Sequence, residues 1–117
     1  MSTEEVLDPA IVADLRRARD AFGNPEFIHQ LVGLFQTGTP GKLDRVRDAL
    51  AVGDAATVGQ VAHALTSNCG MLGASSMAAA CARMEEAASR GDLASAAAAF
   101  QEASQQLPAV LAALLQL

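Results

Sequence analysis

Apolar residues recur along the chain at intervals of three and four, with no strand-like alternation, which is the spacing of amphipathic helices. Breakers cut this pattern into helix-sized pieces. Asp8 before Pro9 is an N-cap followed by proline at the first helical position, and the helix it opens carries Ile11, Leu15, Ala18 and Phe22 before stopping at Gly23-Asn24. Asn24-Pro25 repeats the start signal. Phe27, Leu31, Leu34 and Phe35 then mark an apolar face up to Thr37-Gly38-Thr39-Pro40-Gly41, and Leu43, Val46 and Leu50 resume it until Gly53. Because proline bends or breaks a helix, this stretch predicts one kinked helix or two collinear ones. Asp54 caps a third piece with the seam Val58, Val61, Leu65, Asn68/Cys69 and Leu72, ending at Gly73. Ser75 or Ser76 opens a fourth, with Met77, Cys81 and Met84 inward and Arg90-Gly91 closing it. Asp92 caps the last, Leu93 to Leu117, where Pro108 predicts a kink or a split. Connections of a few residues make consecutive helices antiparallel. The expected fold is all-α: an antiparallel up-down four-helix bundle with an additional short N-terminal helix, one domain over residues 1–117.

Composition agrees. Hydrophobic residues are 51% of the 117 positions but aromatics only 3%, and the excess of Ala, Leu and Val favours helix over sheet. That length supports one core without disulfides or metals and is short for two ordinary domains. A net charge of -5 argues against nucleic acid as a partner. No stretch approaches the ~18 apolar residues of a membrane span. Met1-Ser2-Thr3-Glu4-Glu5 is acidic with no apolar run behind it, so neither a signal nor a transit peptide is expected. Cys69 and Cys81 lack Cys-x-x-Cys or Cys/His ligand spacing and read as reduced core thiols. These features together predict a soluble, cytoplasmic protein; that it is a monomer is a separate expectation, which goes with transient docking of a partner.

Most candidate chemistry is weak. Glu26-Phe27-Ile28-His29 has the spacing of a di-iron motif, but its second copy is absent, and no metal site is expected. Arg16-Arg17-Ala18-Arg19 reads as a solvated face with local ion pairs. No phosphate-binding loop or other nucleotide site is visible, so the chain is not expected to phosphorylate itself from ATP.

His63 is more informative. It follows the seam residue Val61 by two positions, about 200° around a helix, and so points away from the core. Its neighbours on that outer face are Gly59, Thr66, Ser67 and Gly70, all small, although a glycine inside a helix costs roughly 1 kcal/mol relative to alanine. Such a stripe leaves the imidazole open to close approach. The turn at Gly73-Ala74 brings Glu85 to a similar height on the next helix, where its carboxylate can accept a hydrogen bond from one ring nitrogen and leave the other basic. The residues alone leave two readings open: a nucleophilic imidazole, or a solvent-exposed histidine beside an ordinary glutamate.

The segment His63-Ala64-Leu65-Thr66-Ser67-Asn68-Cys69-Gly70-Met71-Leu72-Gly73-Ala74 resembles the signature of histidine-containing phosphotransfer (HPt) domains, H-x-L-K-G-[SA]-[SA]-x-x-[LIFM]-G. The likeness extends to Leu7-Asp8-Pro9, Asn24-Pro25-Glu26-Phe27, Leu34-Phe35, Ala49-Leu50, Gly53-Asp54, Cys81-Ala82-Arg83-Met84-Glu85 and Gly91-Asp92-Leu93, nearly the whole chain. It implies a four-helix bundle whose histidine, here His63, receives phosphoryl from an aspartyl phosphate and passes it to another aspartate. Glu85 matches the position that often hydrogen-bonds the imidazole. Ser67 stands at the usual glycine and Thr66 at the usual lysine. The implied partners are receiver domains of response regulators or of a hybrid sensor kinase, docking over Gly59, Thr66, Ser67, Gly70 and Met71, with Mg²⁺ on the receiver and no cofactor on this chain. HPt domains carry phosphate as an intermediate rather than turning over a substrate.

The threonine is the departure that matters. Negative charge spreads over the oxygens of a phosphoryl group in transfer, and an ammonium nearby stabilises it. Thr66 offers one hydroxyl donor and no charge, so slower transfer or a shorter-lived phosphohistidine is expected. The alternative is a degenerate adaptor that binds a receiver or kinase domain without taking phosphate.

Overall fold

Three helices start where an aspartate side chain satisfies the first free amides. The computed structural model describes residues 6–117, and the acidic stretch Met1 to Glu5 lies outside the described residues. Five helices follow in order: α1 (Pro9–Phe22), α2 (Phe27–Ala51), α3 (Ala55–Met71), α4 (Ser75–Ser89) and α5 (Leu93–Leu114). The Asp8 carboxylate accepts from the Ala10 amide at 2.9 Å. Asp54 accepts from the Thr57 amide at 3.1 Å and its hydroxyl at 2.6 Å, and Asp92 repeats the arrangement with Ser95 at 3.1 and 2.6 Å. The hydroxyl bonds first, then the amide bonds, hold both carboxyls below the ordinary value of 3.8. A depressed carboxyl contributes stability above its unfolded value, so these caps help the fold at neutral pH and lose that help as the pH falls through 3.8 and below.

α2 begins two residues later than Asn24-Pro25 suggested. The Asn24 side chain bonds the Glu26 amide at 3.1 Å, making a local turn before the first helical residue, Phe27. Both prolines stay inside unbroken helices: α2 runs through Pro40 and α5 through Pro108, each exposed on the outer face. Packing on both sides of each proline holds the helix together where local preference alone favours a break.

α2 packs against α3 and α5, α3 against α4, and α4 against α5, closing a four-helix ring with α1 against α2. Short turns connect the four, as an antiparallel up-down bundle requires. No strand occurs among the described residues. The core includes Val58, Leu65, Leu72, Met77, Met84 and Leu114 together with the two thiols, Cys69 and Cys81, all at most 2% exposed. The hydrogen bond with Cys81 and burial push the Cys69 thiol far above its ordinary range, so it stays protonated.

Two apolar residues assigned to the core face lie outside it. Leu34 and Phe22 are each 71% exposed. The inward stripe of α2 is Ile28, Val32, Phe35, Thr39, Leu43, Val46 and Ala49, rotated away from Leu34. Phe22 packs edge-on against Phe27, ring centroids 5.6 Å apart, where α1 turns into α2.

The turn between α3 and α4 anchors the start of α1. Asp8 donates its amide to the Gly73 carbonyl at 2.8 Å. Gly73 has φ 79°, and a Cβ there would stand 3.2 Å from the Ile11 Cβ and 3.3 Å from the Asp8 nitrogen. Gly53 has a similar φ of 73° with nothing within 4 Å of such a Cβ. Alanine in the left-handed region costs about 1–2 kcal/mol by itself. Gly53→Ala is expected to lose that much and Gly73→Ala measurably more, read by denaturant unfolding; equal losses would show that α1 yields without cost.

Candidate functional site

His63 stands midway along α3 on the side opposite Leu65, and its side chain is 72% exposed. Across the α3–α4 hairpin, Glu85 Oε2 lies 2.8 Å from His63 Nδ1. A neutral imidazole that donates from Nδ1 to this carboxylate keeps the lone pair of Nε2 free and directed to solvent. The two groups that the sequence placed at similar height are thus brought into one hydrogen bond, and the arrangement can present a nucleophilic nitrogen.

The surroundings are bare. Ser67 and Gly70 are exposed, Gly59 and Thr66 half-buried, and Met71 is 53% exposed one turn beyond Ser67. A Cβ on Gly70 would meet nothing within 4 Å, and one on Gly59 only the Ala88 Cβ at an ordinary 3.7 Å. Packing inside the chain therefore demands neither glycine. Next to the imidazole, Ala56, Gly59, Gln60, Glu85, Ala88 and Ser89 line a shallow depression between α3 and α4.

Thr66 departs from the expectation that its hydroxyl is a free donor. Its Oγ1 donates to the Ala62 carbonyl at 2.8 Å, and Ser67 Oγ donates to the His63 carbonyl at 3.3 Å. Both hydroxyls bond back to their own helix, as serine and threonine do mid-helix. Neither is available to the imidazole.

Residues 30–117 match the family model of the Hpt domain, a span that contains the whole of α3 and α4 with His63 and Glu85. The chain belongs to the Hpt domain family. The crystal structure of histidine-containing phosphotransfer protein B (HptB) from Pseudomonas aeruginosa PAO1 is similar to this Hpt domain with a TM-score of 0.84, at 26% identity, over 95% of this chain and 92% of that one. No curated protein matches the chain. Hpt domains work with receiver domains in phosphorelays, and a histidine phosphotransfer role follows for this one.

Other candidates resolve as surface chemistry. His29 Nδ1 stands 3.6 Å from Glu26 Oε2, both exposed, and no cluster of three His, Cys, Asp or Glu side chains able to hold a metal occurs among the described residues. Arg17 pairs with Asp14, and Arg19 with Asp20 at 3.0 Å. No helix among the described residues is long and apolar enough to cross a membrane. Sequence reasoning passed over Lys42 and the outward turn of Leu34, both on α2 beside α3. The signal was there in part: Lys42 is the single lysine of the chain.

Proposed function

We propose that this Hpt domain is a phosphocarrier in which His63 Nε2 attacks the phosphorus of a receiver aspartyl phosphate. The N–P bond forms as the bond from phosphorus to the aspartate oxygen breaks, and the electron pair leaves with the carboxylate. Transfer onward reverses these steps on a second receiver aspartate. The 2.8 Å bond from His63 Nδ1 to Glu85 carries the reading, because it orients the ring, leaves Nε2 as the nucleophile and offers a negative charge to the positive ring formed on phosphorylation. Glu85 acts here as a positioning residue. The open stripe of Gly59, Ser67 and Gly70 supports close approach of a receiver, whose own Mg²⁺ would meet the phosphoryl oxygens. Such a contact is transient, since a relay releases its partner after each transfer.

The test is incubation with a panel of phosphorylated receiver domains, following acid-labile phosphate on this chain. Label from at least one receiver is expected. Tight binding to a receiver with no label from any would favour the adaptor reading instead. With its hydroxyl committed to Ala62, Thr66 gives the phosphoryl group no charged partner. Thr66→Lys is therefore expected to lengthen the phosphohistidine lifetime or speed transfer a few-fold, and no change in either would remove Thr66 as the weak point of the site.

A further inference from the structure

A groove of about 370 Å³ runs between α2 and α3, and His63 does not line it. Its walls are mostly apolar, with Leu31, Leu34 and Phe35 on α2 and Met71 and Leu72 at the end of α3. Thr37 in the same wall bonds back to the Gly33 carbonyl at 2.9 Å, but three other polar side chains there are without partners. Thr39 is 1% exposed and its hydroxyl has no hydrogen bond. Lys42 and Asn68 are half-buried, and neither side chain makes a hydrogen bond or an ion pair among the described residues. On this acidic chain Arg17, Arg19, Arg47, Arg83 and Arg90 each hold a carboxylate, whereas Lys42 holds none.

Register gathers these polar groups at one end of the groove. The Lys42 side chain runs back along α2, so that a Cβ on Gly38 would stand 3.4 Å from Nζ. Gly38 precedes the last residue of α2, Ala51, by thirteen positions, and Asn68 follows the first residue of α3, Ala55, by thirteen. Because a short turn joins the two antiparallel helices, the ammonium and the carboxamide stand at one level, with Thr39 next to Gly38. From that level Leu34 and Leu31 lie further along α2, and Met71 and Leu72 further along α3, in the same direction. The seven positions from Gly38 to Leu31 span about 10 Å at 1.5 Å per residue. The groove is therefore polar and cationic at one end and apolar for the rest of its length.

We propose that this groove binds a small monocarboxylate with an unbranched apolar tail, of the medium-chain fatty acid class, its carboxylate between the Lys42 ammonium and the Asn68 carboxamide and its tail along Leu34, Phe35 and Met71. An ammonium half-buried among apolar side chains is costly without a partner, and a carboxylate is that partner. A neutral ligand leaves the ammonium unpaired, and a bare anion leaves Leu34 and Met71 uncovered. Charge and shape together thus select an amphiphile with one negative group, and a volume near the low end of ligand pockets selects a small one. The site is separate from the transfer chemistry, since a ligand in it leaves the bond between His63 and Glu85 in place.

Titration of the full chain with octanoate at fixed ionic strength, followed by backbone amide NMR shifts, tests this. Saturable shifts centred on Leu34, Gly38, Asn68 and Met71 are expected, with a Kd of about 1 mM or tighter and no shift at His63. Octanamide keeps the tail without the charge and acetate keeps the charge without the tail, and each is expected to bind at least about tenfold more weakly. Lys42→Gln is expected to weaken octanoate about tenfold, to the level of octanamide. Arg45→Gln makes the same charge change on α2 outside the groove and is expected to stay within about twofold. Shifts that do not saturate or that centre elsewhere would overturn the site. So would octanamide binding as tightly as octanoate, an unchanged affinity in Lys42→Gln, or an equal loss in Arg45→Gln, which reports net charge rather than position.

Discussion

His63→Gln is expected to abolish acid-labile phosphate on the chain under conditions in which a receiver labels the wild type, while changing stability by no more than about 0.5 kcal/mol. The imidazole is 72% exposed, and its one bond, to a partly exposed Glu85, is a surface pair of small worth. Glutamine keeps a helix-compatible side chain and a donor toward Glu85 but has no nucleophilic ring nitrogen. Loss of label with an unchanged unfolding curve thus separates chemistry from fold. Label persisting on the variant would move the acceptor elsewhere, with His29, the other histidine, as the first position to examine.

Leu65→Ala is expected to produce the opposite result. Leu65 lies two positions after His63 on the same helix but is fully buried. Truncating a buried leucine removes apolar transfer energy and leaves a cavity, at a cost of about 2–5 kcal/mol. A domain of this size is stable by only about 5–15 kcal/mol, so the loss is a large part of the total. Denaturant unfolding should show the midpoint falling with little change in slope. Phosphate acceptance at low temperature is expected to persist, because the imidazole and Glu85 face the other way. A loss below about 1 kcal/mol would mean that the interior of the bundle closes around the missing methyl groups.

The two variants divide α3 into an outward face that does the chemistry and an inward face that holds the fold. Both faces were legible in the sequence, since the three-and-four spacing of Val58, Val61, Leu65, Cys69 and Leu72 fixes which side is buried and so which side His63 must occupy. Helix starts at Asp8, Asp54 and Asp92 were legible for a similar reason: a capping side chain acts within three residues of itself, so its effect is written in adjacent letters. The approach of Glu85 to His63 was accessible too, because a short hairpin sets the register of its two helices.

Other features depended on neighbours far away in the chain. Pro40 and Pro108 carry a local signal to bend or break, and only the contacts made on both sides of them keep α2 and α5 whole. Leu34 and Phe22 fit an apolar pattern, yet the side of a helix that is buried is decided by where its partners sit, and α3 and α5 meet α2 along a stripe rotated away from Leu34. The same rotation leaves Lys42 half-buried in a groove rather than spread on the surface.

The sequence alone therefore determined the helical class, the order of the helices, the caps at Asp8, Asp54 and Asp92, the inward seam of α3 and the identity of its exposed histidine, all of which follow from periodicity and contacts a few residues apart. Only the tertiary structure decided the continuity of the proline-bearing helices, the commitment of the Thr66 hydroxyl to its own backbone, and the meeting of Lys42, Leu34 and Met71 at one groove. These last depend on rotation and packing between helices, for which burial of the whole core, and no local preference, sets the energy.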